Sequence, residues 1–170
     1  MSGPRIFGLA GWSGSGKTTL VTRLLPELTR RGLAVSTLKH AHHAFDVDQP
    51  GKDSWRHRAA GATEVMISSA RRWALMHEHR GAPEATLQEL VRHMSPVDLL
   101  LVEGFKDQPH AKLEVHRPAL GKPLLCRGDP HIVAVASDTP ITGVAVPVLA
   151  LDDVAAIARF ILAHFRLEAA

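Results

Sequence analysis

Apolar residues fall in short blocks along this chain, at Arg5–Ala10, Ala34–Lys39, Glu64–Ser68, Trp73–His77, Asp98–Glu103, Leu113–His116, Ile132–Ala136 and Val144–Leu149. Each block has the length of a strand, and several are near-continuous runs of Val, Ile and Leu. A strand covered on both faces reads that way, because every side chain meets the core rather than every second one. The pattern predicts a mostly parallel sheet with helices on each side. Helical spacing occupies Gly16–Arg31, Asp53–Ala60, Pro83–Met94 and Asp152–Phe165. The third of these opens on a proline, whose missing N–H costs nothing in a first turn. Pro26 conflicts with the first: it removes a backbone donor and crowds the preceding turn, so a bend or break is expected there. Residues 40–52 follow neither period and carry Asp, Gly, Pro and His, the composition of a surface loop.

A length of 170 residues at 45% hydrophobic composition fits one globular domain over 1–170. The single cysteine, Cys126, has no partner for an internal disulfide and cannot supply a Cys-rich zinc site, which fits a reducing, cytoplasmic setting. The apolar run after Arg5 is too short for a signal sequence or a membrane span, so neither secretion nor a membrane is expected. A net charge of +3, with eleven histidines counted neutral and no Lys/Arg block, admits small anionic ligands and gives no footprint for nucleic acid.

Chemistry enters with Gly11-Trp-Ser-Gly-Ser-Gly16-Lys17-Thr18, a full match to the phosphate-binding pattern G-x-x-x-x-G-K-[ST], placed between an expected strand and an expected helix. Gly11, Gly14 and Gly16 let the backbone curl, so that N–H groups of the loop converge on an anion beside the positive end of the helix. Trp12, Ser13 and Ser15 fill variable positions of the loop. Lys17 reaches the β and γ phosphates and Thr18 ligates magnesium. A Gly/Ser turn that merely caps a helix is the bland alternative, but it requires neither the lysine nor the threonine. Trp12 has three readings: stacking near the nucleotide, leaning into a partner, or filling a surface hollow. With the strand pattern, the loop predicts an α/β, P-loop NTPase-like three-layer sandwich on a mostly parallel sheet.

The second motif is Pro96-Val-Asp-Leu-Leu-Leu-Val-Glu103-Gly104, a hydrophobic strand ending in an acid that can hold magnesium or its water beside the phosphates. Glutamate stands where aspartate is more usual, and its longer reach favours a water-mediated contact. Asp46, Asp48 and Asp53 follow the second strand, where a loop of this topology faces the γ-phosphate; Asp46 is a candidate for magnesium and Asp53 for the nucleotide, against a solvated loop. Asp138, after Ile132–Ser137, is a candidate to accept from guanine N1 and N2 donors, or a turn initiator before Thr139-Pro140. The N-K-x-D guanine signature is absent. His40, His42 and His43 are weighed as zinc or nickel ligands against a hydrated loop.

The phosphate loop, Leu38–Ala62 ("LKHAHHAFDVDQPGKDSWRHRAAGA"), "DLLLVEGFK" and Lys112–Leu125 ("KLEVHRPALGKPLL") together resemble the MobB-like proteins of molybdopterin-guanine dinucleotide biosynthesis. The likeness covers nearly the whole chain. It implies a homodimer that binds GTP with Mg2+, hydrolyses it weakly and assists the guanylyltransferase that attaches GMP to molybdopterin, with molybdopterin or molybdoenzyme targets as further partners. By position it implies Gly11 to Thr19 as the cradle, Glu103 near magnesium, and residues 46–54 as a nucleotide-facing loop; Lys17 and Glu103, read from the two motifs, are the candidate catalytic residues. Slow turnover is expected independently. No arginine finger or water-orienting glutamine is recognisable, and such groups supply rate factors of roughly 10³ to 10⁵. Two rival readings are a small-molecule kinase, with residues 46–53 binding an acceptor hydroxyl, and a GTP-dependent metal-delivery protein using the histidines.

Overall fold

The computed structural model describes residues 4–41 and 45–167. In chain order the regular elements are β1 (Arg5–Ala10), α1 (Lys17–Thr29), β2 (Val35–Lys39), α2 (Asp53–Ala59), β3 (Glu64–Ser68), β4 (Trp73–His77), α3 (Leu87–Arg92), β5 (Leu99–Glu103), β6 (Lys112–His116), β7 (Ile132–Ser137), β8 (Val148–Ala150) and α4 (Val154–Phe165). Internal contacts group them into two compact units, Met1–His40 with Met94–Ala170, and Ala41–His93.

The first unit holds a six-stranded sheet in the order β2-β5-β1-β6-β7-β8, with every pairing parallel. Parallel pairing brings the carboxyl ends of all six strands to one edge, and β1, which carries the phosphate loop, lies inside the sheet. Phe7, Leu9, Leu99, Leu101 and Leu113 project to the face on which α1 and α4 pack. From α1 that face receives Leu20, Leu24 and Leu28, spaced one turn apart. The fold is the α/β, parallel-sheet P-loop class that the sequence predicts.

Pro26 does not break α1, which runs on to Thr29. The cost of an interior proline is about 3 kcal/mol, whereas burying a leucine contributes roughly 1.5–3 kcal/mol. Leu24 and Leu28 are fully buried on either side of the exposed Pro26. Core packing therefore outweighs the lost hydrogen bond, and the proline turns its defect to solvent.

The opposite face of β6 buries two charged residues, each with partners. Lys112 Nζ donates to Asp129 Oδ2 at 2.8 Å. Glu114 accepts from the backbone N–H groups of Leu125 and Cys126 at 2.8 and 2.9 Å, which seats the 3-10 turn Leu125–Arg127. Burial, aided by Glu114, pushes the Cys126 thiol above its ordinary pKa.

β3 and β4 form a separate antiparallel sheet in the second unit, with Glu64 opposite His77 and Ser68 opposite Trp73. The reason is the connection between them. Ser69 N–H donates to Arg72 O at 2.9 Å, closing a tight turn, and a turn that short can only join antiparallel neighbours. α3 begins later than Pro83 suggests, because Thr86 and Glu89 form a reciprocal capping box. β8 begins after Pro147, which has no N–H for a ladder, rather than at Val144. Among the described residues no helix is long and apolar enough to cross a membrane.

Candidate functional site

Between the end of β1 and the start of α1, residues 11–16 turn the chain at the carboxyl edge of the sheet. Two glycines are required by geometry. At Gly11 a Cβ would stand 2.5 Å from the Val115 carbonyl oxygen and 2.7 Å from Ser15 Oγ. Gly16, the N-cap of α1, has φ 99°, left-handed backbone that other residues rarely adopt. Among the described residues no side chain caps this helix end, so its first N–H groups and the positive end of its dipole remain available to an anion.

Ser13, Gly14, Gly16, Lys17, Thr18 and Thr19, with Lys39 and Glu103, line a cleft of about 420 Å3 at this point. Lys17 folds back over the loop, donating to Gly11 O at 2.8 Å and Trp12 O at 3.0 Å. Burial lowers its ammonium below the ordinary lysine value, Glu103 pulls it back up, and Lys39 lowers it further. Thr18 Oγ1 donates to both carboxylate oxygens of Glu103, at 3.0 and 3.1 Å. Glu103 is the last residue of β5, in register with Leu9 on one side and Lys39 on the other. Lys39 Nζ lies 3.7 Å from Glu103 Oε1.

Two hard oxygen donors thus stand beside two ammonium groups and an open helix start. That set fits a polyphosphate with magnesium, an ion that takes one or two protein oxygens and leaves its other positions to phosphate and water.

Other residues of the predicted cradle have different surroundings. Ser15 is buried. Trp12 is directed to the segment after β6, where its indole N–H donates to Pro123 O at 2.9 Å and Lys122 Nζ stands 5.7 Å from the ring centre. Asp138 follows β7, and its Oδ2 accepts from Arg117 Nη1 at 2.6 Å. Arg117 also donates through Nε to Ser15 O, at 3.0 Å.

In the second unit, Arg58 organises the acidic loop. Its Nη2 donates to both oxygens of Asp46 at 2.9 and 2.8 Å, its Nη1 donates to Glu78 at 3.0 Å, and its Nε lies 3.6 Å from Asp48. Asp48 Oδ1 further accepts from Ser54 Oγ at 2.8 Å. The N–H of Asp48 and the Arg58 guanidinium hold the Asp46 carboxyl below its usual pKa. Asp53 is the first residue of α2, where a carboxylate favours the helix dipole.

Of the three weighed histidines, His42 and His43 lie outside the described residues. His40 stacks on Phe105, ring centres 4.5 Å apart, beneath a Gly104 whose Cβ would strike it at 2.7 Å. Among the described residues no group of three or more His, Cys, Asp or Glu is arranged to hold a metal ion.

Sequence reading missed Lys39 and Arg117. The signal for Lys39 was its place at the end of the strand after the phosphate helix; for Arg117 it was an arginine directly after a buried strand and before a proline.

A family model described as "Molybdopterin guanine dinucleotide synthesis protein B" matches residues 6–138. The chain is 44% identical over 160 residues to the molybdopterin-guanine dinucleotide biosynthesis adapter protein of Escherichia coli (strain K12), covering 92% of this chain and 91% of that protein. It is 43% identical over 139 residues to the adapter protein of Haemophilus influenzae (strain ATCC 51907 / DSM 11121 / KW20 / Rd), covering 80% and 76%. A crystal structure of molybdopterin-guanine biosynthesis protein B superposes with a TM-score of 0.73 at 30% identity, over 94% of this chain and 99% of that one.

Proposed function

Because this chain belongs to the molybdopterin guanine dinucleotide synthesis protein B family, we propose that it is a GTP-binding adapter in molybdenum cofactor biosynthesis, acting in the cytoplasm as a homodimer. Its partner in this reading is the guanylyltransferase that joins GMP to molybdopterin. The observation that carries the nucleotide part is the meeting of Thr18 and Glu103 at the mouth of a complete phosphate loop.

Thr18 and Glu103 would hold magnesium, which when bound neutralises phosphate charge and orients the terminal phosphate. Asp46 is left out of that set because its carboxylate is committed to Arg58. Lys17 exchanges the carbonyls of Gly11 and Trp12 for phosphate oxygens, and Lys39 supplies a second cation across the cleft. Asp138 reads the guanine. Slow hydrolysis belongs to the same reading: Lys17, Thr18 and Glu103 position phosphate and metal, and none of the three is suited to activate the attacking water. The dimer reading is supported by an exposed apolar face on the second unit, where Met66 lies opposite Leu75 and Trp73 is 61% exposed.

Retention of purified guanylyltransferase by the immobilised protein, compared with GTP and magnesium, with GDP and without nucleotide, tests the adapter. Capture that strengthens with GTP is the expected result. No capture in any state would remove the adapter reading and promote a small-molecule kinase.

A further inference from the structure

We propose that Arg117 is the positioning residue for guanine recognition, holding the Asp138 carboxylate in its reading orientation and fastening it to the phosphate loop. The proposal rests on the reading of Asp138 as the base reader. It begins with strand order. β6 lies between β1 and β7, so the residue that follows β6 emerges between the phosphate loop and the turn that carries Asp138. Pro118 comes next and disfavours helical backbone at Arg117, which is extended with φ −125° and ψ 109°. The backbone thus sends the side chain out along the carboxyl edge.

One planar guanidinium then serves both neighbours. Nε donates to Ser15 O inside the phosphate loop and Nη1 donates to Asp138 Oδ2. The same group lies over Gly16, where a Cβ would stand 3.5 Å from Nη2. As a contribution to stability this pair is minor, since Asp138 is 34% exposed and Arg117 39%. Its consequence is orientation. A carboxylate offers about four lone-pair sites; Arg117 occupies one on Oδ2, restrains rotation of the group and leaves the others to the N1–H and N2–H donors of guanine. The fixed fork of arginine holds two acceptors at once, which the point charge of lysine does not reproduce. Base recognition and phosphate cradle become one connected unit, in a chain that lacks the N-K-x-D signature.

Calorimetric affinities of the full chain for GTP, ITP, which lacks the N2 donor, and ATP test this in the wild type, Arg117→Ala, Arg117→Lys, Asp138→Asn and the Arg117→Ala/Asp138→Asn pair. Circular dichroism confirms folding, and Arg117→Lys serves if Arg117→Ala does not fold. Loss of the hydrogen bond that orients the carboxylate should reduce the GTP:ITP and GTP:ATP ratios roughly tenfold in either arginine variant. The double variant should lose no more selectivity than Asp138→Asn alone. If Asp138→Asn lowers the ratios and both Arg117 variants leave them unchanged, Arg117 is only a structural tie and the proposal is overturned while the base reader stands. If Asp138→Asn leaves the ratios unchanged, the base-reader reading itself has failed and the proposal with it.

Discussion

The hydroxyl of Thr18 and the carboxylate of Glu103, 85 residues apart in the chain, meet at 3.0 and 3.1 Å. One belongs to the first turn of α1 and the other to the last residue of β5, so the contact closes only because β5 pairs beside β1. Removing either oxygen donor should remove the magnesium effect on binding while leaving the loop in place. In Thr18→Ala and Glu103→Gln, the enhancement of GTP affinity by magnesium should fall by roughly 10- to 100-fold. Titrations with and without the ion check this, and an undiminished enhancement would rule out both ligands.

Lys17 is held below the ordinary lysine pKa first by burial, with Lys39 adding to the effect and Glu103 opposing it. A bound polyanion favours the ammonium form and raises that pKa again. At alkaline pH between the two values, binding should therefore take up a proton. Affinity should decline as pH rises through the pKa of the free protein. Calorimetry in buffers of different ionisation enthalpy measures the uptake. Lys17→Ala should abolish it and weaken triphosphate binding by roughly 100-fold, with little change in melting temperature.

Lys39 lines the same cleft, and its side chain is 61% exposed beside Glu103. An exposed cation contributes through charge and is screened by salt. Lys39→Ala should lower GTP affinity about three- to tenfold at low ionic strength, GDP affinity less, and both differences should shrink in high salt. Equal losses for GTP and GDP would place Lys39 away from the terminal phosphate.

His110 carries an acid sensitivity unrelated to the nucleotide. Burial, reinforced by Lys112 and opposed by Asp129, lowers its pKa from 6.5 to about 4, and neither ring nitrogen has a hydrogen-bond partner among the described residues. Between those values the unfolded chain binds the proton and the folded chain does not. Stability should fall as pH drops from 6.5 toward 4 and level off below. Urea denaturation at several pH values should show this slope in the wild type and a shallower one in His110→Leu.

The exposed face around Met66, Trp73 and Leu75 offers a test of assembly. If it is the dimer surface, Trp73→Ser should shift the light-scattering mass from dimer toward monomer at micromolar concentration, with circular dichroism unchanged. A dimer that persists at the same dilution as the wild type would assign the face to something else.

Much of the site was legible because its chemistry is local. Gly11 to Thr18 is one uninterrupted stretch whose spacing carries its own geometry, and Glu103 announces itself at the end of a buried strand. Lys39 and Arg117 were not legible, since each acquires its role from strand order: β2 lies beside β5 and β6 beside β1, adjacencies that sequence order does not contain. Pro26 misled for a related reason, as the chain does not print that Leu24 and Leu28 face the core while the proline faces water. The pairing of β3 with β4 is written in the shortness of the connection at residues 69–72, which the hydrophobic pattern does not carry.

Trp12 gives the protein a built-in optical gauge. Its indole is part of the phosphate loop itself, its N–H is engaged by the Pro123 carbonyl and an ammonium group stands 5.7 Å from its ring centre. Indole emission responds to both kinds of neighbour, so a shift of the loop relative to Lys122 and Pro123 changes colour and intensity without any added dye. Trp55 and Trp73 contribute a background that substitution by phenylalanine removes. The loop's motion can then be followed in real time, in the presence or absence of any partner that lacks tryptophan.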